Sequence, residues 1–415
     1  MYVKRDIEEL ILKAGKSFPC IVVYGPRQVG KSTTVNYLFD EKVKRVTLDD
    51  IEDRSLAKSN PRLFIENLGT PVIIDEIQKV PELLNEIKKV IDEKRMQWLK
   101  NNEERQLLYI LTGSNRFELQ EGVSESLAGR CAVTEMLSLS LSEKKGYGNI
   151  IFNPEISEIK KRENTGRKYM TAKEIFEDIF NGGMPDVFTG VSERNLYYKS
   201  YINTYIEKDI LKIIDVSSEL QFRSFLTAAA FRTGCELHYD ELANAVGIDV
   251  RTCKKWISVL RLSGIIYLLQ PFLTNKSNRV VKSPKLYFTD TGLCAFLCKW
   301  QDGEMLQNCA MSGAFFETYV VSEIIKNMYA NGTDPNSCLY YYRDSDQKEI
   351  DLIYESADGI YPIEIKKGKS PTKPNKNFDA LEKYKLNIKP GIIIDTCEKI
   401  RAINENVYTL PVHLI

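Results

Sequence analysis

One eight-residue run constrains this chain more strongly than any other part of its sequence. The pattern G-x-x-x-x-G-K-[ST] is matched at every fixed position by residues 25–32. The apolar, β-branched run 19–24 precedes it and indicates a buried strand, and a helix follows it. A strand, a glycine-rich loop and a helix in this order form the setting in which the pattern cradles phosphate groups. The residues predicted to bind a nucleotide here are Gly25, Pro26, Arg27, Gln28, Val29, Gly30, Lys31, Ser32 and Thr33.

Each fixed residue of this phosphate loop has a chemical part in binding. Gly25 and Gly30 let the backbone curl so that its N–H groups point at the phosphates. The N-terminus of the following helix adds its dipole. Lys31 reaches the β- and γ-phosphates, and Ser32 offers its hydroxyl to Mg²⁺. The sequence therefore predicts a nucleoside triphosphate site in which Lys31 is a catalytic group.

A second apolar run, residues 70–76, ends in two acids. Its first part indicates a buried strand, and Asp75 and Glu76 stand at its end. Asp75 is predicted to hold Mg²⁺ together with Ser32, either directly or through water. Glu76 is predicted to polarise the attacking water, which favours hydrolysis over a simple nucleotide switch.

Polar side chains also end the next predicted strand. Thr112, Ser114 and Asn115 can each sense the γ-phosphate and help to orient water, and the sequence does not choose among them. Ser114 is included in the predicted nucleotide site. Further on, Arg130 is a candidate for neutralising transition-state charge, within its own chain or across a subunit interface. The alternative for Arg130 is a solvated surface arginine.

Four short segments give the chain a specific resemblance. They are the phosphate loop, residues 72–84 (VIIDEIQKVPELL), residues 111–115 (LTGSN) and residues 127–130 (LAGR). Together they resemble prokaryotic AAA-type ATPases of the P-loop, ASCE class, in which the ATPase is fused to a winged helix and a C-terminal restriction-endonuclease-like PD-(D/E)xK domain. The resemblance implies an α/β fold with a parallel P-loop NTPase sheet, ATP and Mg²⁺ as cofactors, and a homo-oligomer.

The chain is expected to consist of four consecutive parts. The AAA-type ATPase domain is expected over residues 1–140, and a linker with a helical, lid-like region over residues 141–218. The winged helix is expected over residues 219–275, and the nuclease-like α/β domain over residues 276–415. Within the second part, the composition shifts over residues 141–167, and the polar runs 144–149 and 160–167 are expected to form loops at a boundary or insertion.

Two helices are predicted in the second part, over residues 171–180 and 193–214. Both have apolar residues at helical spacing. The first stops at residues 181–185, where two glycines and a proline indicate a sharp chain reversal. Arg194, on the second helix, is a candidate for a second contact to the nucleotide.

The third part has the order of predicted elements that is typical of a helix-turn-helix. Two predicted helices flank the turn at residues 247–249, and a strand follows. Between residues 251 and 285 there are eight Lys or Arg and no Asp or Glu, so this stretch carries a charge of +8. DNA binding is one interpretation, and packing between subunits is the other. The residues predicted to contact DNA are Arg251, Lys254, Lys255 and Arg261.

The C-terminal part contains the spacing of a metal-dependent nuclease. Asp351 is followed thirteen residues later by Glu364-x-Lys366, on two predicted adjacent strands. Phosphodiester cleavage needs acids that hold Mg²⁺, and a lysine can position the nucleophilic water. Glu317, on a preceding helix, is predicted to complete the metal-binding set. The alternative is a structural network of acids and a lysine without metal.

Composition narrows the remaining classes of function. The chain has 415 residues, 57 Lys or Arg, 57 Asp or Glu and two histidines, His238 and His413. Two distant histidines exclude a three-histidine zinc site and an H-E-x-x-H protease. The absence of a signal sequence and of a long apolar run predicts a cytoplasmic protein with no membrane contact.

Two functions remain open at this point. The first is an ATPase that couples hydrolysis to a DNA-binding module, with or without DNA cleavage, in genome maintenance or defence. The second is an ATP-dependent switch or scaffold that recruits an unidentified protein partner and carries a silent nuclease-like domain. The set Asp351, Glu364 and Lys366 separates them, because a pure switch does not need it.

Overall fold

The computed structural model describes residues 1–39, 43–114, 126–204, 219–272, 283–368, 377–384 and 386–415. Three β-sheets lie in these residues, and helices pack around them. Within the same ranges, no helix is both long and apolar enough to cross a membrane.

The first sheet consists of five parallel strands. They are β1 Cys20–Tyr24, β2 Lys44–Thr47, β3 Val72–Asp75, β4 Tyr109–Gly113 and β5 Cys131–Glu135. Their order is β2-β3-β4-β1-β5, and every neighbouring pair is parallel. β4 therefore separates the strand before the phosphate loop from the strand that carries Asp75, as the resemblance implied. The carboxyl ends of β1, β3 and β4 meet at one edge of the sheet, which is where such folds bind ligands.

Among its described residues, the first part has five α-helices. They are α1 Glu8–Ser17, α2 Lys31–Leu38, α3 Ile51–Ser59, α4 Pro61–Leu68 and α5 Leu83–Asn101. α2 begins directly after Gly30, as predicted from the loop pattern. α5 buries its apolar residues Leu84, Ile87 and Ile91 in the core that covers one face of the sheet.

The second part is helical. Its helices are α6 Leu141–Lys145, α7 Ile156–Glu163, α8 Ala172–Asn181, α9 Pro185–Phe188 and α10 Arg194–Tyr201. α8 agrees with the predicted helix, and Thr171 and Glu174 form a capping box at its start. The predicted helix 193–214 is observed as α10, and its residues 205–214 lie outside the described residues.

The run 141–167 differs from the loops that its polarity predicted. α6 and α7 both lie in it, and Ile159 and Arg162 of α7 are buried. The Arg162 guanidinium donates to the Leu414 carbonyl oxygen at 2.8 Å. Part of the run therefore forms a packed helix, in which Lys160, Lys161 and Glu163 are exposed and Arg162 is buried, and composition alone concealed this.

The third part combines three helices with a small antiparallel sheet. Its elements are, in chain order, α11 Glu219–Ala230, β6 Cys235–Glu236, α12 Tyr239–Val246, α13 Val250–Leu262, β7 Ile266–Leu269 and β8 Lys285–Phe288. The strands lie in the order β6-β8-β7. Gly247 ends α12 with a φ of 74°, and Asp249 caps α13. The predicted helix-turn-helix agrees with α12 and α13, whereas residues 273–282, where the wing is predicted, lie outside the described residues.

One strand from beyond the boundary predicted at residue 275 pairs with strands that precede it. β8 was expected in the nuclease-like domain, but it is the central strand of the three-stranded sheet, between β6 and β7. A boundary predicted from sequence follows local composition, whereas the pairing partner of a strand is set by contacts distant in sequence.

The C-terminal part is a mixed six-stranded sheet with helices. Its helices are α14 Thr291–Leu297, α15 Gly303–Asn308 and α16 Ser312–Ala330, and its strands are β9 Leu339–Arg343, β10 Glu349–Ser356, β11 Gly359–Ile365, β12 Gly391–Asp395, β13 Arg401–Asn404 and β14 Val407–Pro411. The order is β13-β14-β12-β11-β10-β9. β9, β10 and β11 are antiparallel, and β11, β12 and β14 are parallel.

The four parts pack against one another through a continuous core. One cluster of buried side chains contains Val29 of the phosphate loop, Phe176 of α8, Trp256 of α13 and Ile394 of β12. The third part also joins the C-terminal sheet through its backbone, because Phe272 N–H donates to the Tyr341 carbonyl oxygen at 2.6 Å. The linker and lid-like region predicted over residues 141–218 is thus packed wherever the structure describes it.

Candidate nucleotide site and acidic cluster

The phosphate loop has a backbone that only particular residues allow. Gly25 and Gly30 have φ angles of 150° and 94°, and a Cβ atom at Gly25 would lie 2.0 Å from the Met136 carbonyl oxygen. Gln28 has a φ of 61°. The loop therefore adopts the curled form that the sequence pattern predicts, and α2 points its N-terminus into the curl.

The ammonium group of Lys31 lies inside the curl. Its side chain is 5% exposed, and Nζ donates to the carbonyl oxygens of Gly25 at 3.0 Å and Pro26 at 2.7 Å. Burial lowers the pKa of Lys31 to about 8, although the charges of Glu76 and Asp75 oppose the shift. A phosphate that entered the loop would replace neutral carbonyl partners by a charged one, which strengthens the hydrogen bond.

Ser32 and Asp75 lie together, as predicted for a pair that holds Mg²⁺. The Ser32 hydroxyl lies 2.9 Å from Oδ1 and 3.0 Å from Oδ2 of Asp75, and Thr112 Oγ1 donates to the same carboxylate. Mg²⁺ in nucleotide sites uses one or two protein oxygens, the phosphates and water. One hydroxyl and one carboxylate at the mouth of the loop fit that donor set.

A second group of polar side chains surrounds Glu76. Glu76 has a left-handed backbone with a φ of 56°, and Ser114 Oγ donates to its Oε2 at 3.0 Å. Gln78 Nε2 donates to Ser114 Oγ at 3.2 Å and also contacts the Glu76 carboxylate. Of the three candidate sensors, Thr112 therefore contacts Asp75 and Ser114 contacts Glu76, while Asn115 lies outside the described residues.

Gln78 was missed by the sequence analysis. It is 9% exposed, and within the described part of the chain its buried Oε1 accepts no hydrogen bond. Its position two residues after Glu76, in the run Asp75-Glu76-Ile77-Gln78, was the signal that could have found it. An amide oxygen beside the predicted catalytic carboxylate is available to a water molecule.

Arg5 is a second residue that sequence analysis missed. Its buried guanidinium donates to the Val29 carbonyl oxygen at 2.6 Å and to the Leu137 carbonyl oxygen at 2.8 Å, and it pairs with Glu143 at 2.9 Å. Arg5 also lines a cavity of about 710 Å³ between residues 1–6 and 142–149. Arg5 is one of several charged residues before α1, and nothing in the sequence distinguishes it as a contact to the loop.

Arg130 lies at the opposite edge of the sheet from the phosphate loop. β5 starts at Cys131, which pairs with Cys20 at the amino end of β1. The Arg130 guanidinium contacts Asp92 through two hydrogen bonds, of 2.7 and 2.8 Å. Within one chain Arg130 is therefore remote from the loop, so a role in the same chain has no geometric support and the role across a subunit interface stays a prediction.

Arg194 is committed to other contacts. Its guanidinium lies 3.6 Å from the centre of the Phe180 ring and donates to the carbonyl oxygens of Phe180 and Gly292. These contacts hold α10 against α8 and α14. The structure therefore gives Arg194 a structural place, and a contact to the nucleotide has no geometric support.

The third part touches the phosphate loop directly. A Cβ atom at Gly264, in the turn between α13 and β7, would lie 2.9 Å from Cγ of Pro26. The α9 proline, Pro185, lies close to Gly30 on another side of the loop. The loop is thus in contact with two elements outside the five-stranded sheet.

The four cations predicted to bind DNA have exposed side chains on α13. They are Arg251, Lys254, Lys255 and Arg261. Arg261 also lines a cavity of about 200 Å³ together with Gly264 and Glu135, the last residue of β5. Arg261 therefore lies near the ATPase part, whereas Arg251 starts the helix at its other end.

The predicted nuclease residues come together beside two residues that sequence analysis did not single out. Asp351 lies on β10 and Glu364 on the adjacent β11, and Lys366 is the first residue after β11. Lys366 pairs with Glu364, and the Asp351 carboxylate accepts the Ile365 N–H at 2.8 Å. We call the four carboxyl groups at this place the acidic cluster, and its members are Glu317, Glu349, Asp351 and Glu364.

Lys285 of β8 inserts into the acidic cluster. Its side chain is 3% exposed, and Nζ lies 3.0 Å from Glu317 and 2.5 Å from Glu349. Tyr287, two residues on and on the same face of the strand, donates to Glu317 at 2.6 Å. The sequence analysis counted Lys285 in the basic stretch 251–285, but the structure buries it among acids.

Burial makes the charged forms of these groups costly. It raises the pKa of Glu317 and of Glu364 to about 7, with a further contribution from the charge of Asp351. It also raises the pKa of Asp351 above its ordinary value. Burial lowers the pKa of Lys285, but the neighbouring carboxylates outweigh this and raise it overall.

The predicted metal set at Asp351, Glu364 and Glu317 stays a prediction, although side chains of the chain itself compete for its oxygens. In the part of the chain that the structure describes, no group of three His, Cys, Asp or Glu side chains is arranged to hold a metal ion. The physical reason is that Lys285 and Tyr287 hold Glu317, and Lys366 holds Glu364. The acids are neighbours, as the spacing predicted, but their oxygens face hydrogen-bond donors of the chain.

Comparison with known families supports the first part of this description. Residues 17–144 match a family described as an AAA domain. Residues 172–304 and 312–415 match two families described as domains of unknown function, DUF8612 and DUF4143. The first part is therefore similar to AAA-type P-loop ATPases, which supports binding and hydrolysis of ATP.

Similar whole proteins add little about purpose. An uncharacterized protein of Mycobacterium tuberculosis is 25% identical over 374 residues, which cover 89% of this chain and 75% of the relative. An uncharacterized protein of Mycobacterium bovis matches to the same extent.

Solved structures are similar at low identity. The Walker-type ATPase of Pyrococcus abyssi is 15% identical with a TM-score of 0.39, covering 71% of this chain and 96% of that one. The ORC2 protein of Aeropyrum pernix is 12% identical with a TM-score of 0.35, covering 65% and 88%. The assignment of the first part thus rests on its sheet order, its phosphate loop and the matching AAA domain.

Proposed function

We propose that this protein is a Mg²⁺-dependent ATPase that couples the state of its nucleotide to the position of a DNA-binding winged helix. The observation that carries the coupling is the contact between Pro26 of the phosphate loop and Gly264 at the end of α13. The phosphates of ATP would occupy the loop beside that contact. A change in the loop between its empty and filled forms therefore reaches the proposed DNA-binding helix without an intermediate element.

The chemistry of hydrolysis follows from the groups at the carboxyl edge of the sheet. Lys31 leaves the carbonyl oxygens of Gly25 and Pro26 to neutralise the β- and γ-phosphates. Ser32 and Asp75 would hold Mg²⁺, which would supply positive charge to the phosphates. Glu76 orients and polarises the attacking water, and Ser114 and Gln78 fix the direction of its carboxylate.

The arrangement of subunits follows from Arg130. Because Arg130 lies at the edge of the sheet remote from its own loop, it fits the site of a neighbouring chain in a homo-oligomer. Mixing Lys31→Ala chains with Arg130→Ala chains tests this, since the mixed oligomer contains sites with both residues intact. ATP turnover in the mixture above that of either variant alone supports the arrangement, and turnover no higher than theirs contradicts it.

DNA binding is supported by the charge of α13 and by its place after a turn. The exposed cations lie along the helix, with Asp249 engaged as its N-cap. Electrostatic contacts to phosphates make affinity fall steeply with salt. The proposal therefore predicts a strong salt dependence that weakens when these cations are removed.

The decisive experiment measures DNA affinity and ATP turnover together. The triple variant Arg251→Ala, Lys254→Ala and Lys255→Ala should lose DNA affinity and salt dependence while it keeps ATP turnover without DNA. Its matched control replaces three exposed lysines on other helices, Lys58, Lys100 and Lys160, by alanine. Equal loss in both triples, or a flat salt response of the unaltered protein, would contradict the proposal.

A second candidate function is a switch or scaffold that recruits a protein partner. The observation that favours it is the acidic cluster, whose carboxylates are held by lysines and a tyrosine of the chain. DNA affinity that does not change with a non-hydrolysable ATP analogue, together with intact ATP turnover, would select this candidate.

A further inference from the structure

Lys285 and the acids of the acidic cluster come from different parts of the chain. The acids of the cluster come from α16, β10 and β11, which belong to the C-terminal part. Lys285 comes from β8, the central strand of the sheet of the third part. The cation of the cluster therefore lies on the three-stranded sheet, whereas most of the acids lie on the six-stranded sheet.

The place of the ammonium group matters for metal binding. A catalytic Mg²⁺ in a nuclease is held by carboxylate oxygens and balances their charge. Here the Lys285 ammonium lies between Glu317 and Glu349 at 3.0 and 2.5 Å, and Lys366 pairs with Glu364. Two like charges in one buried cluster repel each other strongly, so a divalent ion cannot share this place with the ammonium.

Backbone and side-chain contacts around β8 hold Lys285 in place. Tyr341 N–H donates to the Gln270 carbonyl oxygen at 3.0 Å, and Tyr341 Oη donates to the Ser283 carbonyl oxygen. Arg343 of β9 pairs with Glu236 of β6 at 3.0 Å. These bonds join the three-stranded sheet to the edge of the six-stranded sheet, so Lys285 cannot withdraw while the two sheets stay paired.

We propose that Lys285 is a built-in cation of the acidic cluster. Its ammonium takes the charge-balancing place of a divalent metal ion, so the C-terminal part binds no Mg²⁺ at these carboxylates and does not cleave DNA. The cluster instead joins the third part to the C-terminal part as a buried ionic contact. This inference does not depend on ATP hydrolysis or on DNA binding.

Binding of Mn²⁺ to the nucleotide-free full chain tests the inference. Asp75→Asn is present in every arm, so that the nucleotide site contributes no metal. While Lys285 is present, the proteins with and without Asp351→Asn should bind the same amount of Mn²⁺, because no Mn²⁺ is bound at Asp351. Lys285→Met should gain one Mn²⁺ per chain, and adding Asp351→Asn should remove it again.

The conservative variant separates loss of charge from loss of shape. Lys285→Arg keeps a cation and should bind no Mn²⁺. If the protein with Lys285 binds Mn²⁺ and Asp351→Asn abolishes that binding, the proposal is overturned. This comparison needs no variant of Lys285. Mn²⁺- or Mg²⁺-dependent nicking of plasmid DNA that Asp351→Asn abolishes would overturn it equally.

Discussion

Two buried lysines of this chain, Lys31 and Lys285, show how the partner of an ammonium group decides its use. Lys31 is held by two neutral backbone carbonyl oxygens, and burial lowers its pKa to about 8. Lys285 lies between two carboxylates, which raise its pKa above the ordinary value. Neutral partners release a cation to an incoming phosphate, whereas carboxylates keep it. A buried lysine is therefore suited to bind a phosphate in one site and to stabilise the fold in the other.

The largest expected difference between the two sites is in ATP turnover. Lys31→Ala should reduce turnover by at least about 100-fold, because it removes a charged donor aimed at the transferred phosphate. Release of inorganic phosphate measures this. Lys285→Met should keep most of the turnover of the folded protein, and wild-type turnover in Lys31→Ala would refute the assignment of the loop.

The second difference concerns stability. Lys285→Met should destabilise the protein by about 3 kcal/mol, because it leaves the buried Glu317 carboxyl group and the partly exposed Glu349 carboxylate without their cation. Lys89→Met, which removes an exposed partner of Glu86, should change stability by less than about 1 kcal/mol. Urea unfolding of both variants measures this, and equal effects would show that Lys285 is no more than a surface cation.

The third experiment tests whether the nucleotide site depends on contacts with the third part of the chain, as the acidic cluster depends on Lys285. Gly264→Ala should cost about 1–3 kcal/mol of stability from its contact with Pro26, beyond the strain of its φ of 70°. It should also lower ATP turnover. Gly247→Ala is the matched control, because Gly247 has a φ of 74° and a Cβ atom there would meet nothing within 4 Å. Identical turnover in the two variants would break the proposed coupling.

The last experiment concerns the dependence of stability on pH, where the change expected for one pH unit is small. The pKa of Lys31 is lowered from 10.5 to about 8 in the folded protein, so between these values the unfolded chain binds more protons. The free energy of unfolding should therefore rise with pH over this window, by up to about 1.4 kcal/mol per pH unit from this group. Lys31→Met should lack this contribution, as urea unfolding at several pH values would reveal. An unfolding free energy of the unaltered protein that falls relative to Lys31→Met as pH rises would contradict the assignment.

Local patterns in the sequence predicted the strand, loop and helix that surround the candidate nucleotide site. The loop, its flanking strand and helix, and the pair Asp75 and Ser32 depend on short apolar runs and on glycines whose function is local. The predicted helix 171–180 was found as α8 for the same reason.

Contacts between distant residues were not predictable in this way. Lys285 and Glu317 are separated by 32 positions, and Arg5 and Val29 by 24. A lysine in a basic stretch is usually solvated, so composition placed Lys285 on a surface. Only the pairing of β8 with β6 and β7, and the edge of β9 beside them, reveals that it is buried.

The contact between Pro26 and Gly264 has a mechanical consequence. It involves a pyrrolidine ring and a glycine backbone, which share no hydrogen bond or charge, so only van der Waals forces act across it. Such forces resist compression steeply and separation weakly. In the proposed coupling, the phosphate loop would therefore push the turn after α13 but would not pull it back, and the return would come from the elasticity of the packed sheets beyond it.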